Sequence, residues 1–518
     1  MNPIFRLITR DGIVQTKYGN REFLEIEPQV LHKLSAHAFH DAAFFLRTSQ
    51  LESWMNILKD KDSSDKEKFV IACLIKNAVI SAEGVLPLCQ DTGTATIIAK
   101  RGEQVITGGE DERFLLSGIE ETYRRENLRY SQVIASGMFG EKNSGNNLPA
   151  QIDIGFVPGN EYNFLFVAKG GGSSNKTFLS QESKALLNPA SFESFLRERI
   201  KNLGVAACPP YHVAVIVGGT SPEQNLKMLK LATAGALDDL PISGSNGCAF
   251  RDPEWEKKVM QISTEQGFGA QFGGKWLSLS ARVIRLSRHA ASCPVSVGVS
   301  CSAHRNLLGK ITKDGAFLEQ LEFSPGRFLP ELSKTGNLQA ISIDLNQPVD
   351  AVKKMLSSQP IGAMVMLSGP LIVARDLAHV KLLELVKAGK ALPDYFKNHP
   401  IYYAGPAKTP PNMVIGSMGP TTAERMDSYL ETFMAHGASH ITLAKGNRAS
   451  SVAESCKKYG GFYLGIIGGS AALLAKENIT DCSVIDFPEL GMEAVHRIIV
   501  RDLPAFIIVN SQGNEFYR

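Results

Sequence analysis

The chain is too long for a single hydrophobic core and has the composition of a soluble protein. Of its 518 residues, 44% are hydrophobic and 21% are charged, so two or more domains are expected. A formal net charge of +3 without a block of Lys and Arg argues against nucleic acid as a partner. No apolar run approaches the roughly 20 residues of a membrane-spanning helix, and the start lacks the apolar core of a signal peptide. We therefore expect a cytoplasmic protein without a membrane partner.

The first elements in chain order are helices. Apolar periodicity predicts a helix over residues 29–47. Ser64 and Glu67 then form a capping-box pattern ahead of an apolar stretch, and Gly84 follows it. This pattern predicts a second helix between Ser64 and Gly84, with Cys73 in its packed face.

Three apolar runs in the following part of the chain predict strands that lead into loops. These runs cover residues 94–100, 163–169 and 212–219. After the last run, Ser221 with Gln224 three residues later predicts the start of a helix that ends near Gly235.

The stretch 321–337 contains two prolines and two glycines and predicts a domain boundary. Beyond it, strands alternate with helical segments, which is typical of an α/β domain. The predicted strands of this part are 363–367, 400–405 and 440–444. We expect a mixed α/β fold, divided into an α+β N-terminal domain over 1–325, a linker over 326–340 and a smaller α/β C-terminal domain over 341–518.

Polar residues follow the strand ends of the predicted C-terminal domain. Arg375, Thr421 with Arg425, and Lys445 all fall at or just past such ends. In α/β domains these positions meet at one edge of the sheet and commonly bind ligands. We therefore expect the four side chains to line one edge.

A glycine-rich segment at residues 170–177, "GGGSSNKT", is similar to a phosphate-binding loop. Asn175 replaces the glycine that precedes the lysine in that pattern, and no strand ending in a clear magnesium-binding acid accompanies it. A turn that offers backbone N–H groups to a smaller anion is the preferred interpretation.

The eight cysteines contain no CxxC pair, so neither a zinc finger nor a dense disulfide framework is indicated. Cys89, Cys208 and Cys301 lie among Pro, Gly and Ser rather than on apolar faces. Thiolates from separate loops are the ligands that an iron–sulfur cluster requires. From spacing alone, incidental buried thiols are the commoner outcome, and both interpretations stay open.

Motifs along nearly the whole chain resemble, in the same order, those of the iron–sulfur (class I) fumarate hydratases. They include "LPLCQDTGTA", "AKGGGSSNKT", "AACPPYHVAVIVGGTS", "RHAASCPVSVGVSCSA", "HPIYYAGPAKTP", "GSMGPTTAERMDSY", "AKGNR" and "GGFYLGIIGG". The resemblance implies a tricarboxylic acid cycle hydro-lyase that interconverts fumarate and (S)-malate. It further implies a homodimer and an active site between the N-terminal domain and a C-terminal domain of the swivelling type.

The resemblance also implies a 4Fe–4S cluster that three cysteines hold, with the fourth iron open to the substrate as a Lewis acid. Its ligands fall on Cys89, Cys208 and Cys301. Cys293 competes for the third position, because it lies eight residues before Cys301 and shares the Cys-Pro context of Cys208. Spacing cannot choose between them, whereas the family pattern matches Cys301.

A dicarboxylate substrate requires fixed cations and directed donors, with guanidinium favoured for its bidentate geometry. The resemblance assigns substrate binding to Gln90, Arg129, Gly172, Arg375, Arg425 and Lys445. Ala374 stands where the family pattern has glycine, which leaves the local backbone before Arg375 as a point of difference.

Three residues carry the implied catalytic roles. Asp91 would transfer a proton, although an Asp-Thr-Gly sequence is also typical of a turn. Thr421 would be the other acid or base, although it is also a candidate helix N-cap, a role that Thr422 could share. His289 would hydrogen-bond to a substrate carboxylate or to water.

Two alternatives remain. A related iron–sulfur hydro-lyase acting on tartrate or mesaconate differs by a substituent that changes binding by only about 1–3 kcal/mol, which a sequence does not reveal. An iron–sulfur sensor without turnover would need the three cysteines but not the accompanying acid, hydroxyl and cations.

Overall fold

The protein has a mixed α/β fold, as predicted. The computed structural model describes residues 3–244, 247–334 and 338–517. Within these residues no helix is both long and apolar enough to cross a membrane. The α-helices are α1 (Pro28–Phe44), α2 (Thr48–Lys59), α3 (Asp65–Ser81), α4 (Asp111–Arg125), α5 (Gly171–Ser174), α6 (Pro189–Leu203), α7 (Pro222–Thr233), α8 (Pro253–Glu265), α9 (Val349–Ser357), α10 (Asp376–Lys387), α11 (Asp394–Asn398), α12 (Asp427–Ala435), α13 (Ser450–Tyr459) and α14 (Ala471–Leu473).

The strands up to residue 219 are β1 (Phe5–Thr9), β2 (Ile13–Tyr18), β3 (Arg21–Ile26), β4 (Thr94–Gly102), β5 (Val105–Ile106), β6 (Val133–Ala135), β7 (Glu141–Asn143), β8 (Gln151–Val157), β9 (Tyr162–Lys169), β10 (Phe178–Glu182) and β11 (Tyr211–Gly219). The later strands are β12 (Phe250–Arg251), β13 (Ser278–Arg288), β14 (Cys293–Ser300), β15 (Asn306–Thr312), β16 (Gly315–Glu319), β17 (Ala340–Asp344), β18 (Met364–Val373), β19 (Ile401–Tyr402), β20 (Ile441–Ala444), β21 (Phe462–Ile466), β22 (Ile479–Asp486) and β23 (Val495–Val509). Single-turn and 3₁₀ segments include Lys184–Leu186, Pro325–Lys334, Ala423–Met426 and Pro488–Glu493.

The predicted helix starts are confirmed by their hydrogen bonds. Before α3, the Glu67 backbone N–H donates to Ser64 Oγ at 3.2 Å, and the Ser64 N–H donates to Glu67 Oε2 at 3.0 Å. Before α7, the Gln224 N–H donates to Ser221 Oγ at 3.1 Å. Each contact satisfies an N–H group that the first helical turn leaves without an intrahelical partner.

The chain forms two compact units. Unit 1 comprises Met1–Glu52, Ala78–Gly171 and Ala303–Arg327, and unit 2 comprises Ser53–Asn77, Gly172–Ser302 and Phe328–Arg518. The predicted linker at 326–340 overlaps the 3₁₀ segment Pro325–Lys334, while residues 335–337 lie outside the described residues.

Unit 1 is built on a 6-stranded sheet with the order β1-β16-β15-β9-β4-β8. Helices α1 and α4 pack together beside this sheet, where the Ser35 hydroxyl donates to the Leu115 carbonyl at 2.8 Å. At Gly118 of α4, a Cβ atom would overlap the His32 carbonyl of α1, so only glycine permits this approach. The apolar faces of α1, α4 and the sheet form one buried core.

The described residues of unit 2 form two sheets. One has 5 strands in the order β10-β14-β11-β13-β12. The other has 7 strands, in which β18, β19, β20 and β21 pair in parallel sequence and β23 pairs with both β21 and β18. These pairings close β18, β19, β20, β21 and β23 into a ring.

One strand is longer than predicted. The sequence predicts a strand over 363–367, but β18 continues to Val373. Gly369 and Pro370 resemble a strand end, yet the ladder with β23 shifts register between Leu367 and Gly369 and then resumes. A β-bulge therefore absorbs the irregular residues, and the buried apolar residues after it continue the sheet.

Helix α10 buries a histidine among aromatic rings. His379 has 0% exposure, and neither ring nitrogen has a hydrogen-bond partner within the part of the chain that the structure describes. Its ring packs at centroid distances of 5.2–5.8 Å against Phe396, Tyr403, Tyr429 and Phe433. Burial, reinforced by the positive charge of Arg448, lowers the pKa of His379 from 6.5 to about 3.

We expect His379 to make the protein sensitive to mild acid. Below pH 6.5 the unfolded chain binds a proton that the native state does not bind until about pH 3, so the free energy of unfolding falls as the pH falls. Between about pH 7.5 and about pH 5 this loss is about 2 kcal/mol. Unfolding of wild-type protein and His379→Phe at the two pH values measures it.

The variant should lose much less stability across this interval than the wild type. His436→Phe is the matched control, because it makes the same substitution at an exposed histidine. Equal pH dependence of wild-type protein and His379→Phe would contradict the assignment.

Candidate active site

The loop "CQDTG" of unit 1 holds three predicted site residues in succession. Cys89 is half-buried, and its thiol donates to Gln90 Oε1 at 3.5 Å. The hydroxyl of Tyr123 on α4 donates to the carbonyls of Thr92 at 2.8 Å and Gly93 at 3.1 Å. The loop that presents the cysteine and the acid is therefore fixed to the core of unit 1.

Asp91 is oriented by two donors of unit 1. Its Oδ2 accepts from the Gly171 N–H at 2.7 Å, and its Oδ1 lies 3.4 Å from Arg129 Nη2. Arg129 is 8% exposed, and its Nε donates to Ser131 Oγ at 3.1 Å. An acid and a cation that the sequence assigns to one site thus meet within this unit.

Arg305 is a residue near Asp91 that the sequence analysis missed. It is 3% exposed. The position that a Cβ would occupy at Gly170 lies 2.9 Å from Asp91 Oδ2 and 3.3 Å from Arg305 Nη2. The carboxylate and a second guanidinium therefore both border Gly170. The sequence could have indicated Arg305, because it lies four residues after Cys301, a predicted cluster ligand.

In unit 2, the predicted residues at the strand ends come together. The Thr421 N–H donates to the Tyr403 carbonyl at 2.8 Å, and the Lys445 N–H donates to the Thr421 carbonyl at 3.1 Å. Arg375 Nη1 donates to Thr421 Oγ1 at 3.4 Å. Thr422 occupies the N-cap position of the following 3₁₀ turn without a side-chain cap bond, so Thr421 is not the cap.

The guanidinium of Arg375 lies in a space that a side chain at position 405 would fill. Arg375 is 5% exposed, and a Cβ at Gly405 would lie 2.7 Å from its Nε. A side chain at 405 would therefore displace this guanidinium. Ala374, where the family pattern has glycine, is buried and donates its N–H to the Tyr402 carbonyl at 3.2 Å.

Arg425 is held differently. Its Nη2 lies 2.9 Å from Asp376 Oδ2, and the side chain is 42% exposed. Arg375 directly precedes α10, and Asp376, the first residue of this helix, pairs with Arg425.

Cys208 lies in the same unit as these cations. It is 5% exposed, and Lys445 Nζ donates to its Sγ at 2.8 Å. A Cβ at Gly468 would overlap this sulfur, and a Cβ at Gly172 would lie 3.4 Å from Lys445 Nζ. A cation next to a sulfur favours the thiolate, which is the form that binds metals.

Cys301 follows β14 directly and lies on a loop beside that of Cys208. The Ser302 N–H donates to the Cys208 carbonyl at 3.0 Å. Burial, followed by the charges of Cys208 and then Cys301, raises the pKa of Tyr211 well above its ordinary value. Both sulfurs therefore lie within electrostatic reach of one phenol.

Cys293 and His289 lie at the opposite end of β14 from Cys301. Cys293 begins this strand with 0% exposure, and burial raises its pKa. His289 is exposed in the turn before the strand, where its Nδ1 accepts from the Ala291 N–H at 3.2 Å. Eight extended residues separate the strand ends by roughly 25 Å. Within unit 2, His289 is thus not brought to Cys301.

The glycine-rich segment at 170–177 does not present its lysine as a phosphate-binding loop would. Lys176 Nζ donates to the Asn202 carbonyl at 3.0 Å, and burial lowers its pKa. The Gly171 N–H is directed at Asp91.

In the described residues, no three His, Cys, Asp or Glu side chains lie close enough together to bind a single metal ion directly. In unit 2 the structure brings together two neighbouring cysteine loops, with Lys445 at the Cys208 sulfur and Arg375 at the Thr421 hydroxyl. In unit 1 it assembles a cysteine, an amide and a carboxylate that contacts the guanidinium of Arg129. Such arrangements can bind carboxylates and transfer protons.

Family profiles match the chain in two consecutive parts. The profile described as "Fumarate hydratase (Fumerase)" matches residues 32–310, and that described as "Fumarase C-terminus" matches residues 315–518.

Curated relatives match over almost the whole length. The chain is 54% identical to "Fumarate hydratase 2" of Leishmania major over 98% of this chain and 89% of that protein. It is 51% identical to "Fumarate hydratase class I, anaerobic" of Escherichia coli K12, over 100% of this chain and 95% of that protein. It is 50% identical to "Fumarate hydratase 1, mitochondrial" of Leishmania major, over 99% and 94%. The chain belongs to the class I fumarate hydratases, which are hydro-lyases.

Proposed function

We propose that this protein catalyses the reversible hydration of fumarate to (S)-malate. The observation that carries the proposal is the contact of Arg375 with Thr421, beside Lys445 and Cys208, in a chain of this family. The two cations fit an anionic substrate, the hydroxyl fits a proton-transfer group, and the thiol fits a metal ligand.

We further propose that Cys89, Cys208 and Cys301 hold a 4Fe–4S cluster. The donor chemistry fits, because all three are cysteines on loops, and Lys445 stabilises the thiolate of Cys208. The contact of the Ser302 N–H with the Cys208 carbonyl supports Cys301 rather than Cys293 as the ligand. When bound, the cluster supplies a Lewis-acidic iron.

The chain's own cations bind and orient the two carboxylates of the substrate. Arg375 is buried and offers directed N–H donors, whereas Arg425 is partly exposed and pairs with Asp376. Lys445 adds a compact charge, as expected for an anion site. The remaining proposed substrate contacts are Gln90, Arg129 and the backbone of Gly172.

Asp91 and Thr421 hold the protons that are exchanged. The Gly171 N–H and Arg129 fix the carboxylate of Asp91, which then accepts or delivers a proton at an oxygen. Arg375 Nη1 stabilises a negative Oγ1 of Thr421 and so favours its action as a base. The residue that acts as the acid in hydration acts as the base in dehydration, and the reverse holds for the other residue. His289 stays a predicted active-site residue on the resemblance alone.

The same proposal includes the predicted domain organisation, oligomeric state and cellular location. It comprises an α+β N-terminal domain over 1–325, a linker over 326–340, a swivelling-type C-terminal domain over 341–518, active-site residues from both domains, a homodimer and a cytoplasmic location.

Anaerobically purified protein is expected to be brown and to interconvert fumarate and malate. Exposure to air should remove both colour and activity, because an iron without a protein ligand is open to oxidants. An anaerobic activity panel with fumarate, mesaconate and tartrate, together with iron and sulfide analysis, measures this directly. A colourless, fully active enzyme would contradict the cluster, and a preference for tartrate or mesaconate would replace fumarate as the substrate.

A further inference from the structure

Glu493 contacts the proposed substrate-binding arginine and the helix that follows it. It ends the 3₁₀ segment Pro488–Glu493, immediately before β23. Its Oε1 lies 3.2 Å from Arg375 Nη2, and its Oε2 accepts from the Leu377 N–H at 3.1 Å. One carboxylate thus fixes both the arginine head group and the first turn of α10.

The contacts of Arg375 form a chain from Glu493 to Thr421. Nη2 faces Glu493, and Nη1 donates to Thr421 Oγ1 at 3.4 Å. Nε has no hydrogen-bond partner in the described part of the chain. A guanidinium carries five N–H donors, so these two contacts leave three for an anion.

The pairing of Arg375 with Glu493 matters because both side chains are largely buried. The side chains of Arg375 and Glu493 are 6% and 20% exposed. A cation so poorly hydrated requires a compensating charge, and without one it would turn toward another acceptor. The pair of Arg425 with Asp376 is 42% and 29% exposed and is more strongly screened by water.

We propose that Glu493 is a positioning residue that orients Arg375 toward the substrate carboxylate and toward Thr421. The inference rests on the proposed function. Glu493 does not touch the substrate in this proposal, but it sets which donors of Arg375 remain for it. A neutral side chain at 493 leaves the guanidinium in several orientations, of which few serve both the carboxylate and the hydroxyl.

The test is Glu493→Gln in the anaerobic full-length holoenzyme. Glutamine keeps the length of the side chain and an oxygen acceptor for the Leu377 N–H but removes the charge opposite Arg375. We expect kcat/KM for fumarate to fall about ten-fold or more, mainly through KM, because misplacing a positioned group costs rate steeply. The dissociation constant of succinate, a dicarboxylate without the double bond, should rise by a similar factor in calorimetry.

Two measurements separate positioning from a structural role. Iron content and the circular dichroism spectrum at the assay temperature should match the wild type, as they should in the control Glu431→Gln, whose exposed carboxylate pairs with Lys458. Glu493→Asp, which keeps the charge on a shorter stem, should lose less than Glu493→Gln. This comparison stays informative if the glutamine variant is unstable.

A double variant tests whether Glu493 acts through the arginine. If it does, adding Glu493→Gln to Arg375→Lys should cost little more than Arg375→Lys alone. Equal losses in both backgrounds, or unchanged KM and succinate binding in Glu493→Gln, would overturn the inference. If wild-type protein neither hydrates fumarate nor binds succinate, the proposed function fails instead.

Discussion

Replacing Cys301 by serine is expected to reduce bound iron and hydratase activity to background, whereas Cys293→Ser should keep both. The two cysteines bracket β14, and only Cys301 lies at the end where Ser302 contacts the Cys208 loop. Cys293 is fully buried at the other end, roughly 25 Å away along the extended strand. A cluster bound by Cys208 would therefore reach Cys301 but not Cys293.

The measurement is iron and sulfide content and visible absorbance after anaerobic purification of both variants. Cys293→Ser is the matched control, because it makes the same substitution at the other end of β14. Thermal unfolding shows that each variant is folded. Loss of iron from Cys293→Ser with retention in Cys301→Ser would move the ligand to Cys293.

Asp91→Asn is expected to lower kcat by about 10²–10⁴-fold while the cluster remains bound. The amide oxygen can still accept from the Gly171 N–H, so the loop should keep its conformation. The amide cannot exchange a proton as a carboxyl group does, so the loss should appear in kcat more than in KM. Anaerobic steady-state kinetics with fumarate and with malate measure both directions.

Asp350→Asn provides the control for a carboxylate that is 87% exposed, and its kinetics should match the wild type. A decrease of only a few-fold in Asp91→Asn would remove Asp91 from proton transfer. Loss of iron from Asp91→Asn would instead indicate a structural role for this residue in the cluster loop.

The sequence predicts those parts of the fold that depend on local patterns. The capping bonds of Ser64 with Glu67 and of Ser221 with Gln224 form because each pair lies within one helical turn. The meeting of Thr421 with Lys445 follows from parallel strands whose carboxyl ends share an edge. The extension of β18 past Gly369 was missed, because its bulge depends on pairing with a distant strand.

In the candidate site, too, local patterns were predictable and contacts between distant residues were not. Spacing could not separate Cys293 from Cys301, since the distance that distinguishes them depends on whether the intervening residues are extended. The sequence did not indicate Arg305 or Glu493, because the residues near them in space, Gly170 and Arg375, are far away in the chain. Motif resemblance assigned His289 to the site, whereas its place in a turn follows from β13 and β14.

The closed ring of strands in unit 2 has a consequence for how the chain reaches its native state. Met364 of β18 pairs with Phe506 of β23, and β23 also pairs with β21. Joining strands so distant in sequence requires a large loop to close before the contacts can compensate for its entropy, which slows folding. Until then the edges of β18 and β21 are unpaired and can recruit other chains. Slow synthesis at low temperature should therefore favour soluble protein over aggregates.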